Sequence, residues 1–178
     1  SGNSFYERAE VKDIMAYLKL TVNLRDDESF KRVVNKPTRG IGDTSLNALT
    51  EAAKANNTSL FEAALRDDLD QYGLKASAIG KIRSFCEMMF KSNQISLQRD
   101  AHSAAVSIAT ESGLYVMYKS DTSIEGQSRT ANVEELLNSV KAYIEERNNE
   151  YFEELQAEGM LEEGAEMTES DFPTVKLN

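Results

Sequence analysis

The stretch that decides the fold of this 178-residue chain reads Lys36-Pro37-Thr38-Arg39-Gly40-Ile41-Gly42-Asp43-Thr44-Ser45. Apolar residues fall at helical spacing on both sides of it, which predicts one helix before it and another after it. Pro37 ends the first helix, because the residue before a proline is pushed out of the α region. Gly40 and Gly42 lack Cβ, so they permit a tight turn with φ > 0 and close approach by a large ligand. Asp43 or Thr44 is expected to cap the second helix.

Residues 36–45, called the G-I-G turn below, have the features of an anion-binding site. First-turn N–H groups of a helix have no intrahelical acceptor, and a glycine turn leading into them is a typical anion-binding arrangement. No acid occurs between Ser29 and Gly42, and the nearby cations are Lys31, Arg32, Lys36 and Arg39. We interpret the turn as a clamp on the phosphate backbone of duplex nucleic acid that reads no bases. The alternative is a plain helix–helix corner with solvated basic residues.

Composition limits the other classes of function. The length allows one domain with a sizeable core or two small helical lobes, and 40% of the residues are hydrophobic. No apolar run is long enough for a transmembrane helix, and the N-terminus lacks a signal-peptide pattern. Cys86 is the only cysteine, which excludes an internal disulfide and suits a reducing cytoplasm. With a single histidine as well, a His/Cys metal site is improbable.

The formal charge of −10 is concentrated at one end of the chain. Residues 145–171 contain eleven acids and one base, Arg147, and so carry the whole surplus, while residues 1–144 have a balance of −1. A nearly neutral body with a basic corner is compatible with DNA binding, because the local field decides phosphate contact.

Helical periodicity predicts an all-α fold, an irregular bundle of antiparallel helix pairs with a helix-hairpin-helix-like G-I-G turn. A capping box of Ser4 and Glu7 is expected to open a helix that runs to about Val22, and a second box of Ser59 and Glu62 opens another. Residues 1–155 are assigned to the helical domain. Residues 156–178 are expected to form an acidic, poorly ordered tail. Later helices are predicted over about 74–91 and 97–112, then from Thr130 or a neighbour.

The sequence contains no recognisable catalytic motif. It lacks the phosphate loop G-x-x-x-x-G-K-[ST], the G-x-S-x-G elbow and the H-E-x-x-H zinc motif. His102 is expected to be structural and Cys86 to be a small core residue. We therefore predict no catalytic residue, no metal site and no cofactor in this chain.

Five blocks of the sequence resemble, in the same order, segments of the UvrD/PcrA/Rep superfamily 1 DNA helicases. Residues 2–18 are similar to the family's G-x-x-F-[FY]-x-R-x-E-[IV]-K-D-x-x-A-Y-L, and residues 26–35 to its D-D-x-x-F-x-R-[VI]-[VI]-N. Residues 37–42 resemble its P-x-R-G-I-G. The last two blocks, at 113–118 and 126–136, resemble S-G-L-x-x-x-Y and G-x-x-R-x-x-N-[LV]-x-E-L.

The resemblance implies a piece of an ATP-dependent 3′–5′ DNA helicase, the 2B subdomain, with a missing last helix after the tail. Its partners would be double-stranded DNA near a single-strand junction and the motor domains of the same parent chain, which would need ATP and Mg²⁺. Arg8, Glu10 and Asp13 would pair structurally near the hinge to the motor. No membrane partner is expected, and the location is expected to be cytoplasmic. The candidate DNA-binding residues are Lys12, Lys36, Thr38, Arg39, Gly40, Ile41, Gly42 and Ser45.

Two other interpretations remain open. One is a helix-hairpin-helix module from another DNA-repair protein. The other is a protein-interaction scaffold whose acidic tail docks on a basic partner, with the G-I-G turn as a corner only.

Overall fold

The computed structural model describes residues 2–162 and 164–178, and within these ranges the chain is all α-helical and without a strand, as predicted. No described helix is both long enough and apolar enough to cross a membrane. Two 3-10 turns lie at Leu69–Tyr72 and Glu169–Asp171. The helices are α1 (Gly2–Tyr6), α2 (Ala9–Val22), α3 (Asp27–Val33), α4 (Asp43–Ala55), α5 (Leu60–Ala64), α6 (Ala76–Gln98), α7 (Ala101–Glu111), α8 (Leu114–Ser120) and α9 (Ile124–Ala157).

The first predicted helix is interrupted, so the expected Ser4 capping box is wrong. α1 ends at Tyr6, and Arg8 has extended backbone angles (φ −69°, ψ 138°) as the N-cap of α2. The break allows Phe5 to fold into the core, where it is 4% exposed and its ring centroid lies 5.7 Å from the Arg8 guanidinium carbon. The burial of Phe5 therefore determines where α2 begins, and it outweighs the local capping signal of Ser4 and Glu7. The second box is confirmed, since Ser59 and Glu62 cap α5 reciprocally.

α2 is the central helix of the core and packs against α3, α6, α7 and α9. Val11, Ile14 and Leu18 are buried on one face of α2, whereas Val22 at its end is 37% exposed. Tyr17 and Leu20 lie off that face and are fully buried as well. Because α2 is surrounded by four helices, it buries residues on more than one of its faces. Phe85 of α6 completes this centre with an edge-to-face contact to Phe30, at 5.3 Å between ring centroids.

The later helix boundaries differ from the predicted ones. α6 continues to Gln98, and α7 begins at Ala101 because Asp100 accepts a hydrogen bond from the Ser103 amide and caps it. α9 begins at Ile124 with Ser123 as its cap, seven residues before the predicted cap at Thr130. This early start requires Gly126, because a Cβ there would lie 2.2 Å from the carbonyl oxygen of Asp121.

The acidic segment beyond α9 returns to the helical body. Phe172 stacks edge-on against Tyr151, with 6.0 Å between ring centroids. The carbonyl of Val175 accepts a hydrogen bond from the Ala101 amide at 2.7 Å, and Leu177 packs against the core. These contacts tie the last residues to α7 and α9. Poor order of residues 156–178 stays a prediction.

Candidate nucleic-acid interface

The two glycines of the G-I-G turn have different backbone conformations. Gly40 has φ +76°, the left-handed region that favours glycine, as predicted. Gly42 has φ −84° and ψ −179°, so it does not adopt the positive φ that a glycine permits. Gly42 is also the N-cap of α4, in place of Asp43 or Thr44, and no side chain caps the helix. The first turn of α4 therefore has no side-chain cap, and it starts at a glycine that is exposed to solvent.

Asn35 holds the turn in shape, a role that the sequence did not reveal. Its Oδ1 accepts hydrogen bonds from the amides of Arg39, at 2.7 Å, and of Ile41, at 3.1 Å. Ile41 is 2% exposed and anchors the turn in the core. The N–H of Ile41 is therefore already bonded within the protein, so this amide is not available for the phosphate contact predicted from the sequence.

The remaining amides of the turn are available to a ligand. Within the described part of the chain, no acceptor bonds to the amides of Gly40, Gly42, Asp43, Thr44 and Ser45. The same holds for the hydroxyls of Thr38 and Ser45, both candidates from the sequence. All of these residues are exposed except Ser45, which is half-buried. The carboxylate of Asp43 is the opposing charge in this first turn.

Arg39 is bonded to protein rather than projecting into solvent. Its guanidinium donates to the Tyr17 hydroxyl at 2.6 Å and to the Ser112 carbonyl at 2.9 Å. Its carbon lies 5.0 Å from the ring centroid of Phe85. It also donates to four backbone carbonyls at 3.0–3.4 Å, those of Val33, Val34, Lys36 and Pro37. Arg39 thereby joins α2, the end of α3 and the end of α7 behind the turn.

Two further basic side chains pair with one buried carboxylate. Asp13 is 3% exposed and accepts from Arg32 Nε at 2.8 Å and from Lys36 Nζ at 3.3 Å. Lys36 keeps half of its side chain exposed. Lys12 pairs with Glu7 at 3.1 Å and lines a groove of about 370 Å³ on the α2 side. Of the candidate cations, Lys12 and Lys36 therefore still reach solvent.

A lysine distant in sequence also reaches the turn. A Cβ placed on Gly40 would lie 2.9 Å from Nζ of Lys81, so this ammonium group lies against the glycine. Lys81 is exposed and forms no ion pair with any described residue. Lys81 lies on α6 with no local motif around it, so its position beside the turn could not be predicted from the sequence.

A family comparison matches nearly the whole chain. The model of the UvrD-like helicase C-terminal domain covers residues 1–177. The chain belongs to this family. It is 33% identical over 156 residues to DNA helicase II of Escherichia coli, covering 88% of this chain and 22% of that protein. It is 37% identical over 142 residues to the ATP-dependent DNA helicase PcrA of Bacillus subtilis, covering 80% of this chain and 19% of that protein. The chain therefore spans about a fifth of the length of these curated relatives.

Arg8 and Glu10, expected to be structural, join the start of α2 to α9 in this UvrD-like domain. Arg8 donates to Oδ1 of Asn132 at 2.7 Å, and Nδ2 of Asn132 donates to Glu10 at 2.6 Å. Asn132 lies on α9 and is 8% exposed. These residues therefore pair inside the domain, between α2 and α9.

Two titratable groups of the UvrD-like domain, Cys86 and Tyr17, lie in its core. Burial raises the pKa of Cys86 to about 12, and the thiol is 1% exposed, which confirms its predicted place in the core. Burial also raises the pKa of Tyr17 to about 12, against the opposing effect of Arg39. The described residues contain no group of three metal-ligating side chains.

Proposed function

We propose that this chain is the 2B subdomain of an ATP-dependent 3′–5′ DNA helicase and that its G-I-G turn holds the phosphate backbone of duplex DNA beside a single-strand junction. The main observation behind this proposal is the row of backbone amides that have no hydrogen-bond acceptor at the exposed, uncapped start of α4. N–H groups and the helix dipole both favour an anion at this end of a helix. Family membership and relatives named as DNA helicases support the assignment.

In this proposal each candidate residue has the role that its own contacts support. The amides of Gly40 and Gly42, with the hydroxyls of Thr38 and Ser45, would contact phosphate oxygens. Lys36 would add charge from its exposed end. We assign Arg39 a positioning role, because its guanidinium is bonded to protein on several sides. The remaining candidate is Lys12, which lines its groove together with Lys19 and Arg32 and would contact the strand near the junction.

The motor chemistry would belong to other parts of the parent chain. ATP and Mg²⁺ would be bound by the motor domains, which would also be physical partners of this subdomain. Backbone contacts suit a subdomain that has to pass every sequence, because phosphates carry no base information. A hinged subdomain that grips the duplex can assist strand separation in one orientation and restrain the motor in another.

One substitution tests the phosphate contact without removing the turn. Aspartate is a favourable N-cap, so Gly42→Asp would give α4 a side-chain cap while it places a carboxylate on the free amides. A Cβ at Gly42 meets no atom within 4 Å, so the variant is expected to fold normally. Asn149→Asp, on the exposed end of α9, is the control with the same change in net charge.

Binding is measured by fluorescence anisotropy with a labelled duplex that carries a 3′ single-stranded tail. We expect wild type and Asn149→Asp to bind alike, in the non-specific range of about 10⁻⁴–10⁻⁶ M, and Gly42→Asp at least about tenfold more weakly. Duplexes of unrelated sequence should give the same affinities. Equal binding by all three proteins, or none by wild type at low salt, would contradict the proposal and favour a protein-interaction scaffold.

A further inference from the structure

Beside the G-I-G turn lies a groove that no sequence motif marks. It has a volume of about 520 Å³ and lies between the turn and the first half of α6. Arg39 borders it from the turn, and the α6 residues that line it are Ser77, Gly80, Lys81, Ser84, Phe85 and Met88.

This groove is positively charged although the protein is acidic. Its lining contains two cations and no acid, although the chain as a whole carries −10. The four other described grooves each contain at least one carboxylate. An acid-free basic groove on an acidic protein favours an anionic ligand, because local charge decides what approaches.

The surface of the groove is open and its polar groups are unused. A Cβ placed on Gly80 would meet nothing within 4 Å, so this part of α6 is uncovered. Ser77 and Ser84 are exposed, and their hydroxyls bond to no described residue. Each lies about one helical turn from Lys81, Ser77 four residues before it and Ser84 three residues after it. Residues spaced by three or four share a face, so the three side chains lie on the same side of α6.

We infer that the duplex-binding surface extends from the G-I-G turn onto α6, with Lys81 as a phosphate ligand. The inference rests on the proposed function of the turn. Lys81 Nζ already lies against Gly40, so a strand whose phosphate is held at the start of α4 passes within reach of this ammonium. Lys81 would neutralise a neighbouring phosphate of that strand, with the serine hydroxyls as additional donors.

The test compares two lysines on the same helix. Lys81→Gln removes the proposed ligand. Lys91→Gln removes an exposed lysine further along α6 that pairs with Glu87 at 3.4 Å. With the 3′-tailed duplex at about 50 mM salt, Lys81→Gln should bind about tenfold more weakly, and the slope of log affinity against log salt should fall by about 0.9. Lys91→Gln should match wild type, and Lys81→Arg should retain most of the affinity.

A readout on the unmodified chain is independent of any variant. In an NMR titration with the duplex, the amide signals of Gly40 and Gly42 should shift, and that of Gly80 should shift with the same affinity. The signals of Gly126 and Gly159, near the start of α9 and just beyond its end, should stay in place.

The outcomes separate the two levels of inference. If Gly42→Asp loses binding while Lys81→Gln binds like wild type and Gly80 does not shift, the extension onto α6 is wrong and the proposed function stands. If Lys81→Gln and Lys91→Gln weakened duplex binding equally, the loss would come from the change in net charge alone, and the extension would be wrong. If the wild-type chain gives no shift at Gly40 or Gly42, the proposed function fails, and the extension fails with it.

Discussion

The guanidinium of Arg39 donates to the backbone carbonyl of Ser112 at 2.9 Å, across 73 residues of sequence. This bond fixes the G-I-G turn to the end of α7, and the same side chain bonds to the Tyr17 hydroxyl. Arg39, one of the cations in the basic run before α4, therefore bonds mainly to groups within the protein. Its inward-facing guanidinium helps to fix the position of the candidate interface.

Arg39→Gln should destabilise the fold as a whole. Hydrogen bonds from a charged donor each contribute about 1.5–3 kcal/mol, and several acceptors would be left unpaired. We expect the free energy of unfolding to fall by about 3 kcal/mol or more, measured by urea denaturation. Lys31→Gln, an exposed lysine of the same basic run, should stay within about 0.5 kcal/mol of wild type. Similar stabilities of the two variants would show that Arg39 does not hold the turn.

Asn35 allows the shape of the turn to be separated from its charge. Asn35→Ala leaves the buried amide of Ile41 without an acceptor, which should cost about 1–3 kcal/mol of stability. Asn35→Asp keeps both acceptor positions and adds a negative charge beside the proposed phosphate site. It should therefore unfold near the wild-type urea midpoint and still bind duplex DNA more weakly. If Asn35→Asp bound the duplex like wild type, phosphate would not approach this side of the turn.

Local signals in the sequence predicted part of this architecture. The start of α4 after the glycines, the cap of α5 and the left-handed Gly40 depend on neighbouring residues, and all three agree with the structure. The cap of α2 was mispredicted because the burial of Phe5 overrides it.

The partners of the site residues could not be predicted. Arg39 meets Ser112, Arg8 meets Asn132 and Gly40 meets Lys81 only after the chain has folded. Each of these contacts joins helices that are far apart in sequence, so no spacing rule announces it. The charge of the basic run predicted a phosphate clamp. Which of its cations face solvent depends on how the helices pack, and the sequence alone does not show that packing.

Asn132 should be critical for the attachment of α9 to α2. Asn132→Ala removes the acceptor of Arg8 and the donor to Glu10, whose carboxylate is 8% exposed. Loss of partners for a buried charge should lower the free energy of unfolding by about 2–3 kcal/mol. Asn138→Ala, two turns further along α9 and exposed, is the matched control and should have little effect. Equal urea midpoints for both variants would contradict this role.

Cys86 should be chemically protected while the chain is folded. Its pKa is raised to about 12 by burial, so very little reactive thiolate exists near neutral pH. We expect modification by a disulfide reagent at pH 8 to be at least about a hundredfold slower in the native chain than in urea, because the thiol must first be exposed. The destabilised Arg39→Gln variant should react faster than wild type. Rapid labelling of the native chain would show that the α6 core opens readily.

Two buried tyrosines should make the fold sensitive to alkali. Burial raises the pKa of Tyr17 and of Tyr118 to about 12 from 10.0, and Asp13 and Glu10 add to the effect at Tyr118. Because the folded pKa exceeds the unfolded one, the unfolded chain loses these protons first. Their contribution to stability is complete below pH 10 and is lost as the pH rises toward 12. As the pH rises through this window, each of the two tyrosines should lower the free energy of unfolding by about 1.4 kcal/mol per pH unit.

Tyr118→Phe removes one of these ionisations and should flatten the alkaline loss of stability by about that slope. Tyr6→Phe, at a position 49% exposed, is the matched control and should follow the wild-type curve. Urea midpoints collected between pH 9 and pH 11 measure the slopes, and tyrosinate absorbance reports ionisation directly. Ionisation of all tyrosines near pH 10 in a chain that remains folded would contradict the burial of Tyr17 and Tyr118. A Tyr118→Phe curve parallel to wild type would show that this hydroxyl is equally free to ionise in both states.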